Sequence, residues 1–405
     1  MFTHHWAVRR YFSDSLLGAK LPFEQAVEEV WYSQKTVVKE GTLRGMTYRH
    51  GEAAEAIERE KVEALEKEGL SRKARTRQPA SDVKQDKKMV VSSDGAFVHL
   101  TSGEWCEIKM MVVGEFESQW NAKAGELEVK TSNLSYFSRS YRIREFERYT
   151  LAELSQRGVN EAKQVVSVND GSAWIESLND YHLLPTAVSI LDFRHALDHL
   201  AEMGRLLFGE ASPRLAPWLE KMATQLKHKP PSVTLNELSL LKRELTDEAA
   251  LTGFDAHYRY LASRSALIDY PHFRAQHFPI GSGSAESAHK VVVHCRMKQA
   301  GMRWAAPHLD PLLTLRNLIC NGRWSQGWSD IAAHYWQQCR RTWCEQARRR
   351  RFSAKALTFS DVKVAPASEN SSEPSSPPPR SPYRPAPDHP WCLGLWPSRE
   401  SWRWN

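Results

Sequence analysis

Three carboxylates stand where a chain could hold divalent cations. Asp94 lies inside a β-rich run, MVVSSDGAFVHL, Asp170 ends the short apolar run QVVSVND, and Glu286 follows a Gly-Ser-Gly-Ser segment. Phosphodiester chemistry by two divalent cations needs two or three hard oxygen ligands at one point, with the metals about 4 Å apart. A plainer interpretation also exists, because Asp-Gly pairs are common in turns and acidic residues stabilise helix N-termini.

The spacing of the three residues is informative. Asp170 lies 76 residues after Asp94 (170 − 94), which leaves room for two further strands and a helix. Glu286 lies 116 residues after Asp170 (286 − 170), which is too long for one strand and one loop and predicts an inserted domain. The segment before Glu286 predicts a helix start with Ser284 as N-cap and Glu286 in the first turn. Lys290 falls one turn later on the same face, where it could meet a DNA phosphate.

A second constellation lies in LDFRHALDHLAEMG. Asp192, His195, His199 and Glu202 share one helix face, and two histidines at i and i+4 can bind zinc. The alternative is an N-cap aspartate followed by a polar stripe, which we favour.

The elements that must position these groups can be predicted from hydrophobic patterning. Strands are predicted near 89–100, 104–116 and 126–138, then a helix over 143–158 and a strand ending at Asp170. A helix from Ala173 and a strand ending at Asp192 follow. Three antiparallel strands and then alternating helix and strand are the order of an RNase H-like α/β sheet, in which catalytic groups lie at the carboxyl ends of strands.

The predicted organisation has five parts. Residues 1–80 form a helical N-terminal region with a basic linker at 71–79, and residues 86–192 form the first part of the core. An all-helical insertion covers 193–275, and the rest of the core with a basic helical end covers 276–355. Residues 356–405 form a Ser/Pro-rich tail that we expect to be disordered.

Composition excludes some classes and favours others. The net charge of +7 and the pI near 9.0 favour a polyanionic partner. Six cysteines without a C-x-x-C pair indicate reduced thiols in a cytosolic protein. No run of about 18 apolar residues predicts a membrane span, and the first residues lack the apolar stretch of a signal peptide.

A basic and aromatic segment covers residues 294–328. Its arginines and lysines could neutralise phosphates, and its tryptophans could stack on bases. The alternative, which composition favours, is a helical region with buried tryptophans and solvated arginines. The candidate DNA contacts, with Lys290, are Arg296, Lys298, Arg303, Trp304, Arg316, Arg323 and Trp324.

The string from Tyr270 to Trp324, PIGSGSAES…RMKQAGMRW…LRNLICNGRW, resembles the ISKra-type transposases of bacterial insertion sequences. SSDGAFVHLTSGEWCEIK, NDGSAWI and ILDFRHALDHL extend the resemblance over roughly residues 20–330. It implies a D,D,E transposase with an RNase H-like core, in which Asp94, Asp170 and Glu286 hold two Mg²⁺ ions that Mn²⁺ can replace.

The resemblance also implies partners: double-stranded DNA, as terminal inverted repeats and as target, and a homo-oligomer acting on paired ends in the bacterial cytoplasm. The related Mutator-like superfamily carries a C/D-x-x-H signature, matched by Asp192-Phe-Arg-His195, so Asp192 rivals Asp170 as the second catalytic aspartate and His195 is a candidate accessory residue. Family members usually carry a Cys-rich region before the first aspartate, and none is visible here. An inactive, truncated relic that binds DNA is therefore the alternative.

Overall fold

The protein is described from a computed structural model, which covers residues 2–68, 85–122, 126–183 and 185–360. The chain divides into two compact units, residues 1–343 and 344–405. The sheet and the candidate site lie in the first unit. The predicted linker at 71–79 and the tail beyond residue 360 lie outside the described residues.

The centre of the first unit is a mixed five-stranded sheet. Three long strands, β1 (Gln85–His99), β2 (Trp105–Asn121) and β3 (Glu126–Arg139), form an antiparallel meander. Two short strands, β4 (Ala162–Asn169) and β5 (Val188–Leu191), run parallel to β1, giving the order β3-β2-β1-β4-β5. The predicted hairpin, third strand and two later strands are confirmed, and the fold is α/β.

Helices cover both faces of the sheet. The helices α4 (Ile143–Arg157) and α5 (Ala173–His182) pack on one face over Met89, Val91 and Met111. The other face, represented by Val98 and Ile108, belongs to a second core built by helices from both ends of the described chain. Because side chains alternate along a strand, β1 contributes to both cores.

The segment 193–275, in which we expected an all-helical insertion, contains five α-helices. Its α-helices share a core around Leu200, Met222, Phe254 and Phe273, which continues under β4 and β5. They are α6 (Phe193–Phe208), α7 (Leu215–His228), α8 (Pro231–Leu241), α9 (Glu248–Ser263) and α10 (Tyr270–Ala275).

The N-terminal helices share a core with the helices that follow the insertion. The former are α1 (Phe2–Lys20), α2 (Phe23–Gln34) and α3 (Glu40–Lys67), and the latter include α12 (Leu309–Cys320) and α13 (Trp324–Ser360). The contact is close at Gly51, where an added Cβ would lie 2.4 Å from the carbonyl oxygen of Pro311. Only glycine allows α3 and α12 to approach this far.

The helix that carries Glu286 is interrupted. It begins as α11 (Gly283–His289), passes through a π-helical turn at Lys290–His294, and ends with one α-helical turn at Cys295–Met297. π-Helical turns occur often at functional sites. The start of α11 confirms Glu286 in the first turn, but the prediction of Ser284 as N-cap is wrong. Ser282 holds that position, and its hydroxyl bonds to Asp192 instead of capping the helix.

The beginning of the predicted tail also differs. Helix α13 continues to Ser360, so residues 356–360 are helical where we expected a disordered tail. The reason is local composition, because Ala-Leu-Thr-Phe-Ser contains no proline and the first proline after it is Pro366.

Candidate active site across three neighbouring strands

Three aspartates stand at one level across the sheet. The ladder of β1 and β4 pairs Val91 with Ser167, and three residues further along each strand come Asp94 (91 + 3) and Asp170 (167 + 3). The ladder of β4 and β5 pairs Asn169 with Leu191, and the next residues are Asp170 and Asp192. The register therefore aligns Asp94, inside β1, with Asp170 and Asp192, which directly follow the carboxyl ends of β4 and β5, the edge where α/β sheets place ligands.

A side-chain bond ties the strand ends together. The backbone N–H of Ser93 donates to the Asn169 side-chain oxygen at 2.6 Å, and the Asn169 amide donates to the Ser167 hydroxyl at 2.6 Å. Asn169 thus takes the place of a ladder bond beyond Val91 and Ser167. This arrangement keeps β1 and β4 together up to the two aspartates.

The charges of the three aspartates act on one another. Burial raises the pKa of the Asp94 carboxyl, and the negative charges of Asp170 and Asp192 raise it further. The Gly95 N–H and His195 oppose this rise. The structure therefore brings Asp94, Asp170, Asp192 and His195 together, and the repulsion among the carboxylates is of the kind that a bound cation relieves.

The three carboxylates differ in how they are engaged. Asp94 Oδ1 accepts from the Gly95 N–H at 2.7 Å, and Asp170 Oδ1 accepts from the Ser172 N–H at 2.9 Å. Asp192 uses both oxygens, because Oδ1 accepts from the Arg194 N–H at 2.6 Å and Oδ2 accepts from the N–H and hydroxyl of Ser282. Asp192 caps α6, as its N-cap interpretation predicted, and it also anchors the entry to α11, which was not predicted.

Helix α11 crosses the edge of the sheet above these strands. Its N-cap residue Ser282 is bonded to Asp192 after β5, and its last residue His289 places Nε2 3.5 Å from Asp94 Oδ2 on β1. Seven residues rise about 10.5 Å along a helix. Two strand spacings, from β5 past β4 to β1, measure about 9.6 Å. The helix is therefore the length needed to span the three strands at the level of the aspartates.

Glu286 lies in the middle of this bridge, but its side chain turns to solvent. Its carboxylate is 73% exposed and forms an ion pair with Lys290 at 2.8 Å. The hydrogen bond from Lys290 lowers the pKa of Glu286, and the more distant charge of Arg194 acts in the same direction. The backbone of the predicted third ligand is thus at the site, while its carboxylate is not gathered with the aspartates.

The donor set fits a divalent cation in part. Asp94 and Asp170 supply the hard oxygen ligands that Mg²⁺ and Mn²⁺ take, at a place where carboxylates already repel one another. Within the described residues, however, no group of three or more histidine, cysteine, aspartate or glutamate side chains is arranged to hold a metal. With Glu286 paired to Lys290, the third protein ligand is not in place.

His289 is a site residue that sequence reasoning missed. It is 4% exposed, burial lowers its pKa to about 4, and neither ring nitrogen has a hydrogen-bond partner among the described residues. The available signal was its position three residues after Glu286, which puts the two on adjacent turns of one helix. Its buried ring lies beside Asp94, where the end of α11 meets β1.

The four residues of the predicted second constellation have separate partners. Asp192 caps the helix, and Glu202 pairs with Arg205 on the same helix. His199 Nδ1 lies 2.8 Å from His257 Nδ1 of α9, and His195 is exposed beside the aspartates. The set is not gathered around a common point, in keeping with the capped-helix interpretation.

Several candidate DNA contacts are interior residues. Arg296 is 1% and Arg316 4% exposed, and both donate to backbone carbonyls, of Gly18 and Val292 respectively. Trp304 and Trp324 are buried too, as the alternative interpretation of this segment expected. Arg323 is partly buried in a pair with Glu153 at 2.6 Å. The exposed candidates are Lys290, Lys298 and Arg303.

No protein-family model matches the chain, and no curated protein matches it.

In the part of the chain that the structure describes, none of the helices has both the length and the apolar composition that a membrane span requires.

Proposed function

We propose that this chain is a D,D,E DNA transposase with an RNase H-like core, which cleaves DNA at the ends of its own mobile element and joins the freed ends to target DNA. The strand order β3-β2-β1-β4-β5, with an antiparallel meander followed by two parallel strands, supports such a core. The helical insertion between β5 and the helix of Glu286 supports the interrupted form of it.

One observation carries the proposal. By the β-sheet register and the charge interaction, Asp94 inside β1 lies beside Asp170, which directly follows the carboxyl end of the adjacent parallel strand β4. In the proposal these two carboxylates hold divalent cations, Mg²⁺ or Mn²⁺. When bound, such ions lower the pKa of an attacking water or hydroxyl and stabilise the oxygen that leaves phosphorus.

Asp170 is the better candidate than Asp192 for the second ligand. Both oxygens of Asp192 already accept hydrogen bonds from Arg194 and Ser282, and coordination would compete with them. Asp170 has one oxygen without a hydrogen bond from any described residue. Asp192 is then a positioning residue, because it ties the start of α11 to the end of β5.

Glu286 is the proposed third ligand. Its place midway along the helix that bridges Asp192 and Asp94 supports this role, and its pairing with Lys290 suggests how the role is controlled. A DNA phosphate that bound Lys290 would remove the partner of Glu286 and leave its carboxylate to the site. Lys298 and Arg303, both exposed after α11, are proposed to contact the same DNA. We propose a homo-oligomer on paired ends.

The test is strand cleavage on labelled DNA from the two flanks of the gene, where the proposal expects inverted repeats, with Mg²⁺ or Mn²⁺. We expect the wild-type chain to release a 3′-hydroxyl end, and Asp94→Asn, Asp170→Asn and Glu286→Gln to lose at least about a hundredfold in rate. The matched control is Asp180→Asn, an exposed aspartate on α5, which leaves cleavage unchanged. An Asp170→Asn variant that still cleaves would remove Asp170 from the site.

A second candidate is a relic that binds DNA without cleaving it, and the exposed, ion-paired Glu286 is the observation in its favour. Binding of the repeats and cleavage of them separate the two candidates. Salt-dependent binding with no metal-dependent cleavage by the wild-type chain would establish the relic and exclude the transposase.

A further inference from the structure

We propose that the helical insertion sets the direction of the Asp170 carboxylate, through a clamp that Tyr260 and Arg264 place on the turn after β4. The inference rests on the proposed function for the importance of Asp170, and it assigns to the insertion a positioning role at the site. Tyr260 belongs to α9, and Arg264 is the C-cap residue of the same helix.

The two side chains hold two successive backbone carbonyls. The Tyr260 hydroxyl donates to the carbonyl oxygen of Asp170. The Arg264 Nη2 donates to the carbonyl oxygen of Gly171 at 3.1 Å and to Glu176 Oε1 at 3.0 Å. The guanidinium also lies over the Tyr260 ring, 4.1 Å from its centre, so the two donors support each other.

The turn is shaped to receive this clamp. Gly171 has φ +74°, and a Cβ there would lie 2.5 Å from the Tyr260 hydroxyl and 3.1 Å from Arg264 Nε. Only glycine meets both demands, the left-handed backbone and the close approach. The Asp170 side chain follows this backbone, because its Oδ1 accepts from the Ser172 N–H on the far side of the turn.

The clamp is itself anchored to the next strand end. The His199 ring stacks on Tyr260 with centres 4.0 Å apart, and His199 Nδ1 lies 2.8 Å from His257 Nδ1. His199 stands on α6, whose N-cap is Asp192. Tyr260 is thus held between the helix that follows β5 and the turn that follows β4. A shift of α9 relative to α6 would move the carbonyl of Asp170.

The test compares Tyr260→Phe with Tyr258→Phe in the full chain. Both changes remove one hydroxyl from α9, but the Tyr258 hydroxyl has no hydrogen-bond partner among the described residues. Hydrogen exchange of the peptide that covers residues 169–176 measures the turn, and Mn²⁺ affinity measures the carboxylate. We expect Tyr260→Phe to raise exchange about fivefold, the worth of one hydrogen bond. We expect its Mn²⁺ binding to weaken about tenfold while the melting temperature falls by no more than about 4 °C.

The outcomes separate the clamp from the proposed function. Unchanged exchange in Tyr260→Phe, or an equal change in Tyr258→Phe, overturns the clamp whatever the protein binds. Faster exchange with unaltered Mn²⁺ affinity also overturns it, since the turn would then not set the carboxylate. Faster exchange in a chain whose wild-type form binds no Mn²⁺ supports the clamp on the turn and contradicts the metal-dependent function.

Discussion

At the scale of single residues, the candidate site gathers groups whose charge and burial destabilise one another. Asp94 is raised in pKa by burial and by two neighbouring carboxylates, and His289 is buried with neither ring nitrogen hydrogen-bonded within the described residues. Sites prepared for charged ligands commonly carry such a cost. The loss of stability can be measured, because removing one charge from the cluster relieves the repulsion and raises the free energy of unfolding.

Asp94→Asn is expected to stabilise the protein in the absence of divalent cations. The asparagine oxygen can still accept from Gly95, while the repulsion with Asp170 disappears. Because the carboxylate is 38% exposed and solvent screens it, we expect a gain of about 0.5 kcal/mol in the free energy of unfolding. Chemical denaturation in EDTA measures it, with Asp180→Asn as control. Destabilisation by Asp94→Asn would contradict the account of repulsion.

A buried histidine away from the site predicts how stability depends on pH. Burial lowers the pKa of His50 to about 4 in the folded protein, against about 6.5 in an unfolded chain. Above pH 6.5 both states are neutral at this residue. As the pH falls from 6.5 towards 4 only the unfolded state gains the proton, so the fold loses on the order of 3 kcal/mol.

His50→Asn tests this dependence. We expect the loss of stability between pH 6.5 and 4 to be smaller in the variant, and unchanged in His228→Asn, which alters an exposed histidine. His289, whose pKa burial also lowers to about 4, continues to contribute in the variant. Denaturation curves at several pH values give the slopes. Parallel curves for wild type and His50→Asn would show that His50 titrates normally in the fold.

At the scale of elements, the helix after the insertion has two different faces. One face carries Glu286 and Lys290 towards solvent. The chain that continues from it carries Arg296 inwards, where Nε and Nη2 both donate to the Gly18 carbonyl and the guanidinium lies 4.7 Å from the centre of the Phe23 ring. Burial lowers the pKa of Arg296 to about 10, which still leaves it charged at neutral pH.

Arg296→Ala therefore tests packing and Arg303→Ala tests DNA binding. Removing the buried guanidinium leaves the Gly18 carbonyl without its donor and a cavity beside Phe23, and we expect a loss of about 2–4 kcal/mol in stability. Removing the exposed Arg303 should change stability by less than about 0.5 kcal/mol and lower the salt dependence of DNA binding by about one ion. A stable Arg296→Ala protein with selectively weakened DNA binding would reverse these assignments.

Much of the element pattern could be predicted from the sequence, and the exceptions share a cause. Strands and insertion helices followed from hydrophobic periodicity, which is local. The burial of Arg296 did not, because its acceptor at Gly18 lies 278 residues away. The sequence predicted Ser284 as the N-cap residue of α11, whereas Ser282 holds that position in the structure. The Ser282 hydroxyl is bonded to Asp192, which lies 90 residues away and therefore leaves no signal in the local sequence.

The candidate site also depends on contacts between residues that are far apart in the sequence. The expected strand order predicted Asp94 and Asp170 as neighbours, and the register aligns them. The choice between Asp170 and Asp192 stayed open in the sequence, because it depends on which carboxylate oxygens the tertiary structure already uses. His289 lay one turn from Glu286 in a highly specific string, but a histidine on a helix gives no sign of which strand it faces.

At the scale of the whole molecule, the ends of residues 1–343 are joined in one core. Phe12 of α1 packs edge-on against Trp324 and Trp328 of α13, with ring centres 5.8 and 5.7 Å apart. The Gly18 carbonyl serves Arg296. The sheet thus lies between a core made by the chain's N-terminal helices with later helices and a core made by α4 and α5.

Deletion of residues 2–38 is expected to abolish cooperative folding. It removes α1 and α2, exposes the buried faces of Trp324 and Trp328, and leaves the guanidinium of Arg296 without its acceptor in the interior. We expect the near-ultraviolet circular dichroism of the shortened chain to lack the sharp thermal transition of the full chain. A cooperative transition within about 5 °C of the full chain would show that the N-terminal helices are dispensable.

The central claim is that Asp94 and Asp170 jointly hold a divalent cation, and Mn²⁺ binding followed by electron paramagnetic resonance tests it most directly. The measurement needs no DNA and compares wild type with Asp94→Asn, Asp170→Asn, Asp192→Asn and Asp180→Asn. The account predicts that Asp94→Asn and Asp170→Asn each weaken binding at least about tenfold while Asp180→Asn does not. Equal Mn²⁺ affinity in wild type, Asp94→Asn and Asp170→Asn, or a loss confined to Asp192→Asn, would contradict it.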